Sequence, residues 1–134
     1  MTKDQEIEKI VRLTLIRIGI KCDHTGFTYL EHAIKEVIEN PKLLRNLRSL
    51  FTIVARQCGA SSAFRVEANI HNSLVVTQKR HGFDFINTIF GFQVVKPGQR
   101  PTIGELIKLV AEYYTMGLYK HNYEYVEPEQ PVNA

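Results

Sequence analysis

The sequence predicts an all-α fold, a compact helical domain that contains a helix-turn-helix. Apolar residues recur at intervals of three and four along most of the chain, which is the spacing of one face of an α-helix. The length of 134 residues and the hydrophobic content of 44% suit a single core of ordinary size. Glycine follows several of these periodic segments, where a left-handed residue can end a helix: Gly19, Gly59, Gly91 and Gly117.

Two helices are predicted in the first third of the chain. The first has apolar residues at helical spacing from Ile7 to Ile18 and ends at Gly19. The second is predicted to start at a capping box, because Thr28 and Glu31 are three residues apart and an apolar stripe follows them.

The next two helices have the arrangement of a helix-turn-helix. Pro41 suits the start of a helical stretch that reaches Gly59, with a break around residues 46–49. The following helix is predicted to begin near Ser61 or Ser62 and to span about residues 62–81, with its inner side formed by Val66, Ile70, Leu74 and Thr77. Ala55 lies four residues before Gly59, so a small residue can sit at the helix crossing. An ordinary helical hairpin in a bundle is the alternative.

The remaining chain is predicted to contain a short turn, a connector and a last helix. Asp84 is placed to cap the turn, and residues 92–101 form the connector. Thr102 and Glu105 form a second capping box, which opens a helix to Gly117. We therefore expect one domain over residues 1–117 and a frayed, acidic tail with tyrosine and proline over residues 118–134.

Positive charge is concentrated in the middle of the chain. Residues 41–83 hold seven lysines and arginines against one acid, Glu67, so this segment carries 7 − 1 = +6 while the whole chain carries +3. A field of this sign attracts polyanions. The seven cations are Lys42, Arg45, Arg48, Arg56, Arg65, Lys79 and Arg80.

Composition argues against several other classes of protein. The chain has no run of 18 uncharged apolar residues and a charged start, so we expect a cytoplasmic protein without a membrane partner. Cys22 and His24 lack a second pair of ligands at zinc-site spacing, and Cys58 is expected to be a packed thiol. No nucleotide or catalytic motif is present, so we expect no enzyme, no cofactor, no metal and no small-molecule substrate.

The carboxy-terminal part is rich in tyrosine. These rings could stack on bases or against a partner chain. The simpler expectation is core packing for Tyr113 and Tyr114 and disorder for Tyr123 and Tyr125, with Tyr119 between them.

Four segments together resemble a known family: GFTYLEHAI (26–34), RVEANI (65–70), INTIFGF (86–92) and RPTIGELIKLVAE (100–112). They are similar, in this order, to the C-terminal DNA-binding effector domain of the sporulation initiation factor, a response regulator. The resemblance covers about residues 7–114. It implies a transcription regulator with a winged-helix-like all-α domain, whose helix 62–81 enters the major groove of double-stranded DNA. It also implies copies in tandem on DNA, or a homodimer. The family's receiver domain is expected to be absent from this chain.

The resemblance also implies which residues contact DNA. Arg65 and Glu67 match the family's recognition helix, and Arg80 matches a basic residue near its end. Ser61 and Ser62 match hydroxyl residues at the helix start, which suit phosphate binding. Five further residues are expected to reach bases or phosphates from their side-chain chemistry and charge, not from the resemblance: Asn69, His71, Asn72, Lys79 and Arg100.

The chain departs from the family pattern at the centre of this helix. Ala68 replaces an arginine, and His71 with Asn72 replaces an arginine-histidine pair. Each lost arginine should remove roughly 1–3 kcal/mol of base discrimination. Two alternatives follow, a divergent copy that acts as a protein-interaction module and a non-specific DNA binder. The basic residues could also be no more than a solvated face.

Overall fold

The computed structural model describes residues 1–120, which contain six α-helices and no β-strand. The predicted all-α class is confirmed, and within this range the helix-turn-helix has no β-stranded wing. Residues 121–134, which make up most of the predicted tail, lie outside the described residues. The helices are α1 (Lys3–Ile18), α2 (Thr25–Glu39), α3 (Leu47–Cys58), α4 (Ala63–Lys79), α5 (Ile86–Phe90) and α6 (Ile103–Thr115).

Helix α2 is the centre of the fold. It packs against α1, α3, α4 and α6, and these four helices cover its apolar side chains. Phe27, Leu30 and Ile34 are fully buried as a result.

The helices within residues 1–120 do not combine the length and the apolar character that a membrane-spanning segment needs.

An ion pair joins α1 to α2. Arg12 donates from Nε and Nη2 to the two carboxylate oxygens of Glu31, with both distances 3.1 Å. Glu31 is only 5% exposed, and the Arg12 guanidinium also lies 5.9 Å from the ring centroid of Phe27. The hydrogen bonds and charge of Glu31 raise the pKa of Arg12.

The predicted start of α2 is wrong. The helix begins at Thr25, so Thr28 lies inside its first turn and cannot cap it. Glu31 faces Arg12 of α1 and does not return to the backbone of Thr28. His24 occupies the capping position without a side-chain hydrogen bond to the helix.

The other predicted helix boundaries are mostly confirmed. Gly19, Gly59 and Gly91 adopt left-handed conformations after α1, α3 and α5. The predicted break near residue 46 is present, since a 3-10 turn, Pro41–Arg45, precedes α3. Asp84 does not cap a helix, because it lies within a second 3-10 turn, Gly82–Phe85.

The predicted capping box of α6 is confirmed. Thr102 Oγ1 accepts the Glu105 N–H at 3.1 Å, and Glu105 Oε1 accepts the Thr102 N–H at 3.0 Å. The backbone N–H of Thr102 and then its hydroxyl lower the pKa of the Glu105 carboxyl.

Helices α2 and α4 approach closely at Gly26. A Cβ atom added to this residue would lie 2.2 Å from Ser73 Oγ and 2.4 Å from the Asn69 carbonyl oxygen. The backbone of α4 therefore occupies the space where any other residue at position 26 would place its side chain. This crossing determines which side of α4 faces away from the core.

The two ends of the described chain are in contact. Tyr119 stacks on Tyr114, with ring centroids 5.3 Å apart and planes 7° from parallel. Its hydroxyl donates to Glu6 Oε1 of α1 at 3.2 Å. The turn that follows α6 is thereby packed against the first turns of α1.

Candidate nucleic-acid interface

Helices α3 and α4 form the predicted helix-turn-helix. Helix α3 ends at Cys58, and Gly59 takes a left-handed conformation with φ 71°. The Ala60 N–H then donates to the Ala55 carbonyl at 2.9 Å, and Ala55 is buried. Ser62 is the capping residue of α4, since its hydroxyl accepts the Arg65 N–H at 3.1 Å.

The core holds α4 by one side only. Its buried residues include Val66, Ile70, Leu74 and Thr77, as predicted, together with Ser73. An α-helix turns by about 100° per residue, so a second set of residues points away from the core. We call this set the outer face; it comprises Phe64, Arg65, Ala68, His71, Asn72, Val75 and Lys79.

Four of the residues predicted to contact DNA share the outer face. Arg65, His71, Asn72 and Lys79 are all exposed. Arg65 lies in the first turn of α4 and Lys79 is its last residue, so these side chains extend along the whole helix. An exposed face with hydrogen-bond donors at both ends suits contact with a long groove that is lined by negatively charged groups.

Glu67 and Asn69 lie on the two flanks of the outer face. Glu67 is exposed and faces the groove between α4 and the start of α6. Asn69 is half-buried beside the first turn of α2, and its amide donates to the Arg65 carbonyl at 2.9 Å. The structure thus brings together the outer-face residues and leaves Asn69 at their edge.

Further predicted residues lie at the ends of α4. Ser61 and Ser62 are exposed at its start, where the N–H groups of the first turn favour anions. Arg80 follows its last turn and is exposed beside Lys79. The chain then reverses at His81, whose φ of 61° makes it the only non-glycine residue with a left-handed backbone in residues 1–120.

Arg100 is connected to α4 although it lies 21 residues beyond the end of this helix in sequence. The Gln78 amide donates to the Gly98 carbonyl at 2.7 Å, and Arg100 Nη1 donates to Gln78 Oε1. A groove of about 640 Å³ runs between α4, this connector and the start of α6, and Glu67, His71 and Arg100 are among its lining residues. The connector therefore lies beside the outer face.

The basic residues before α4 are exposed. Lys42 and Arg45 lie on the first 3-10 turn, and Arg48 and Arg56 lie on α3. Arg48 lines a small cleft together with Phe64 and Glu67. Positive charge therefore continues from α3 to the start of α4.

Sequence reasoning missed Phe64. Its side chain is 73% exposed on the outer face, one residue before Arg65. A helical projection of residues 63–79 would have revealed it, because position 64 lies opposite Val66 and Ile70.

Other reactive side chains in the described part of the chain have ordinary surroundings. Residues 1–120 contain no group of three His, Cys, Asp or Glu side chains placed to hold a metal. Cys22 is exposed, whereas Cys58 is half-buried and burial raises the pKa of its thiol. The His32 ring nitrogen Nδ1 is 2.9 Å from Gln57 Oε1, a contact between α2 and α3.

Comparison with known families identifies the kind of domain that these helices form. The family model described as sporulation initiation factor Spo0A C terminal matches residues 11–114, from the third turn of α1 almost to the end of α6. The match includes the whole helix-turn-helix and the connector that joins α5 to α6. It confirms the resemblance found in the sequence and supports a role in transcription regulation. The chain belongs to the family of the DNA-binding C-terminal effector domain of the sporulation initiation factor Spo0A.

Proposed function

We propose that the chain is a transcription regulator that binds specific sequences of double-stranded DNA with α4 in the major groove. The outer face of α4 is the observation that supports this proposal. Its 17 residues span about 25 Å. A helix with its side chains is about 10–12 Å wide, close to the width of the major groove at about 12 Å.

In this proposal the first half of the outer face reads bases. Residues near the start of a recognition helix usually contact base edges, and Arg65 occupies that place. Arginine can bind guanine through two hydrogen bonds, and an asparagine such as Asn72 can bind adenine in the same way. His71 and Glu67 line the groove between α4 and α6, where Glu67 can reach a base and His71 can reach a base or a phosphate. Asn69 can contact a base only if its side-chain amide gives up the hydrogen bond to the Arg65 carbonyl.

The two ends of α4 and the connector bind phosphates. Ser61 and Ser62 offer hydroxyl and backbone donors at the start, and Lys79 and Arg80 offer charge at the end. Arg100, which Gln78 holds beside α4, contributes from the connector. The domain over residues 1–117 is the proposed binding unit, and tandem or dimeric copies on adjacent half-sites belong to the same proposal.

The test is DNA selection followed by titration. The full chain selects duplexes from a pool with a randomised core, and fluorescence anisotropy then compares the selected duplex with a scrambled one at two salt concentrations. We expect tighter binding to the selected duplex. The triple variant Arg65→Ala, Lys79→Ala, Arg80→Ala should lose most of the affinity for both duplexes.

A charge-matched control separates local contact from general attraction. The triple variant Lys9→Ala, Arg17→Ala, Lys108→Ala removes the same charge from exposed positions on α1 and α6. It should keep the preference for the selected duplex. Equal, salt-sensitive binding to both duplexes would identify a non-specific binder. Absence of binding even at low salt would favour the protein-interaction module.

A further inference from the structure

The outer face of α4 contains a strip of apolar side chains. Phe64, Ala68 and Val75 lie within about 40° of one another around the helix axis. Phe64 is 73% exposed, whereas Ala68 and Val75 are partly covered by their neighbours. The strip is one residue wide, and it runs along the middle of the surface that the proposed function places in the major groove.

The surroundings of the strip favour a polyanion over a protein partner. Arg65, Asn72 and Lys79 border it on one side, and His71 borders it on the other. Arg48 of α3 and Glu67 line the same cleft as Phe64, so charged side chains also border the start of the strip. Protein-binding patches are usually broad, with a desolvated apolar centre from which charged residues are depleted. A narrow apolar line bordered by polar and charged side chains matches instead a charged groove that offers single apolar groups.

The major groove offers such a group at one base only. Thymine carries a C5-methyl group there, while the other bases present hydrogen-bond donors and acceptors without a methyl group. Small apolar and aromatic side chains such as alanine and phenylalanine contact this methyl group in protein–DNA complexes. Phe64 and Ala68 are one helical turn apart, about 6 Å along the axis, which corresponds to roughly two base-pair steps of about 3.4 Å.

We propose that Phe64 and Ala68 read thymine through its C5-methyl group, at positions about two base-pair steps apart and next to the base contacted by Arg65. The proposal rests on the proposed function, since it requires α4 in the major groove. It assigns part of the specificity to apolar contacts that lie between the hydrogen-bonding residues of the outer face. The preferred DNA therefore contains thymines at the centre of the contacted segment.

Replacement of thymine by uracil tests the proposal directly. The duplex selected by the full chain is synthesised again with deoxyuridine in place of thymidine, one position at a time, which removes only the methyl group. We expect about a fourfold loss of affinity at one or two thymines, because a buried methyl or methylene group is worth about 0.8 kcal/mol. Replacement at thymines outside the contacted segment should have no effect.

Two variants assign the effect to individual side chains. In Phe64→Ala, the loss caused by uracil should disappear at one thymine, and in Ala68→Gly it should disappear at the other. Each comparison is made within one variant, between two duplexes, so small changes in stability cancel. Leu13→Ala, which truncates an exposed side chain of α1, is the control and should keep the full response to uracil.

The experiment distinguishes a failure of the thymine contact from a failure of the proposed function. A chain that prefers the selected duplex but binds its thymine and uracil forms equally would contradict the methyl contact and leave the proposed function standing. If Phe64→Ala keeps the full loss of affinity caused by uracil, then Phe64 does not contact the thymine methyl group. Unchanged DNA affinity in Phe64→Ala, together with loss of self-association, would assign the strip to protein contact. A chain with no duplex preference would contradict both proposals.

Discussion

Arg65 and Asn69 are one turn apart on α4, yet their side chains are differently available to DNA. Arg65 is exposed in the first turn, while the amide of Asn69 is bonded to the Arg65 carbonyl beside α2. Contact between α4 and Gly26 of α2 keeps position 69 at the edge of the outer face. At the residue scale, Arg65 can bind DNA without rearrangement, whereas Asn69 must first give up a hydrogen bond.

Removal of the Tyr113 hydroxyl should stabilise the fold. Tyr113 is 3% exposed, its ring lies 5.0 Å from that of Phe90, and its hydroxyl has no hydrogen-bond partner among the described residues. An unsatisfied buried hydroxyl costs about 1–3 kcal/mol, so Tyr113→Phe should raise the free energy of unfolding by about 1 kcal/mol. Chemical denaturation measures the change. The half-buried Tyr114 provides the control, Tyr114→Phe, which should change stability little.

The stability difference between the wild-type chain and Tyr113→Phe should change with pH in a definite direction. Burial raises the pKa of Tyr113, so the folded chain keeps this proton to a higher pH than the unfolded chain does. Wild-type stability should therefore fall as pH rises above the unfolded value of about 10, and Tyr113→Phe should lack this part of the loss. A stability difference that stays constant through this pH range would contradict the assignment.

At the element scale, the crossing of α2 and α4 depends on Gly26. Gly26→Ala would place a Cβ atom 2.2 Å from Ser73 Oγ and 2.4 Å from the Asn69 carbonyl oxygen. The gain in helix propensity, about 1 kcal/mol, is smaller than the cost of separating two backbones, so we expect a net destabilisation of about 2 kcal/mol. Chemical denaturation measures it.

Gly104→Ala is the matched control for this prediction. Gly104 is also helical, but its added Cβ would meet only the end of the Leu47 side chain, at 3.3 Å. That side chain can move, so the substitution should be neutral or stabilising. Similar stability changes in the two variants would show that the Gly26 contact is not the cause.

Helices were predictable where their causes are local. Thr102 and Glu105 form the capping box that their spacing predicts, whereas Thr28 and Glu31 have the same spacing and form none. The difference is Arg12, which lies 19 residues before Glu31 and supplies its partner from α1. Spacing within one segment carries no information about such a partner.

The candidate site was predictable to a similar extent. Helical periodicity predicted the buried side of α4, and with it the exposure of Arg65 and Lys79. The position of Arg100 beside α4 depends on Gln78, 22 residues away, and could not be predicted from local spacing. Phe64 was not predicted as a site residue because its side chain lacks the charge and hydrogen-bonding groups that indicate DNA contact in a sequence.

At the scale of the whole molecule, charge determines how DNA affinity should respond to salt. Each neutralised phosphate contributes about 0.9 to the slope of log affinity against log salt concentration. Lys79 and Arg80 are the proposed phosphate contacts among the three residues of the Arg65, Lys79, Arg80 triple alanine variant, so this variant should lower the slope by about 1.8. Anisotropy titrations at several salt concentrations measure it. The Lys9, Arg17, Lys108 variant should leave the slope nearly unchanged, and equal slopes in both variants would contradict a local phosphate contact.

The contact between Tyr119 and Glu6 has a kinetic consequence. Its partners are 113 residues apart in sequence, so it closes almost the whole described chain into a loop. The entropic cost of closing a loop rises with its length. A contact of this kind therefore adds little stability until the helices between its two ends have packed. We therefore expect this contact to form in the last steps of folding and to open among the first. Substitutions there should change the rate of unfolding and leave the rate of folding nearly as it was.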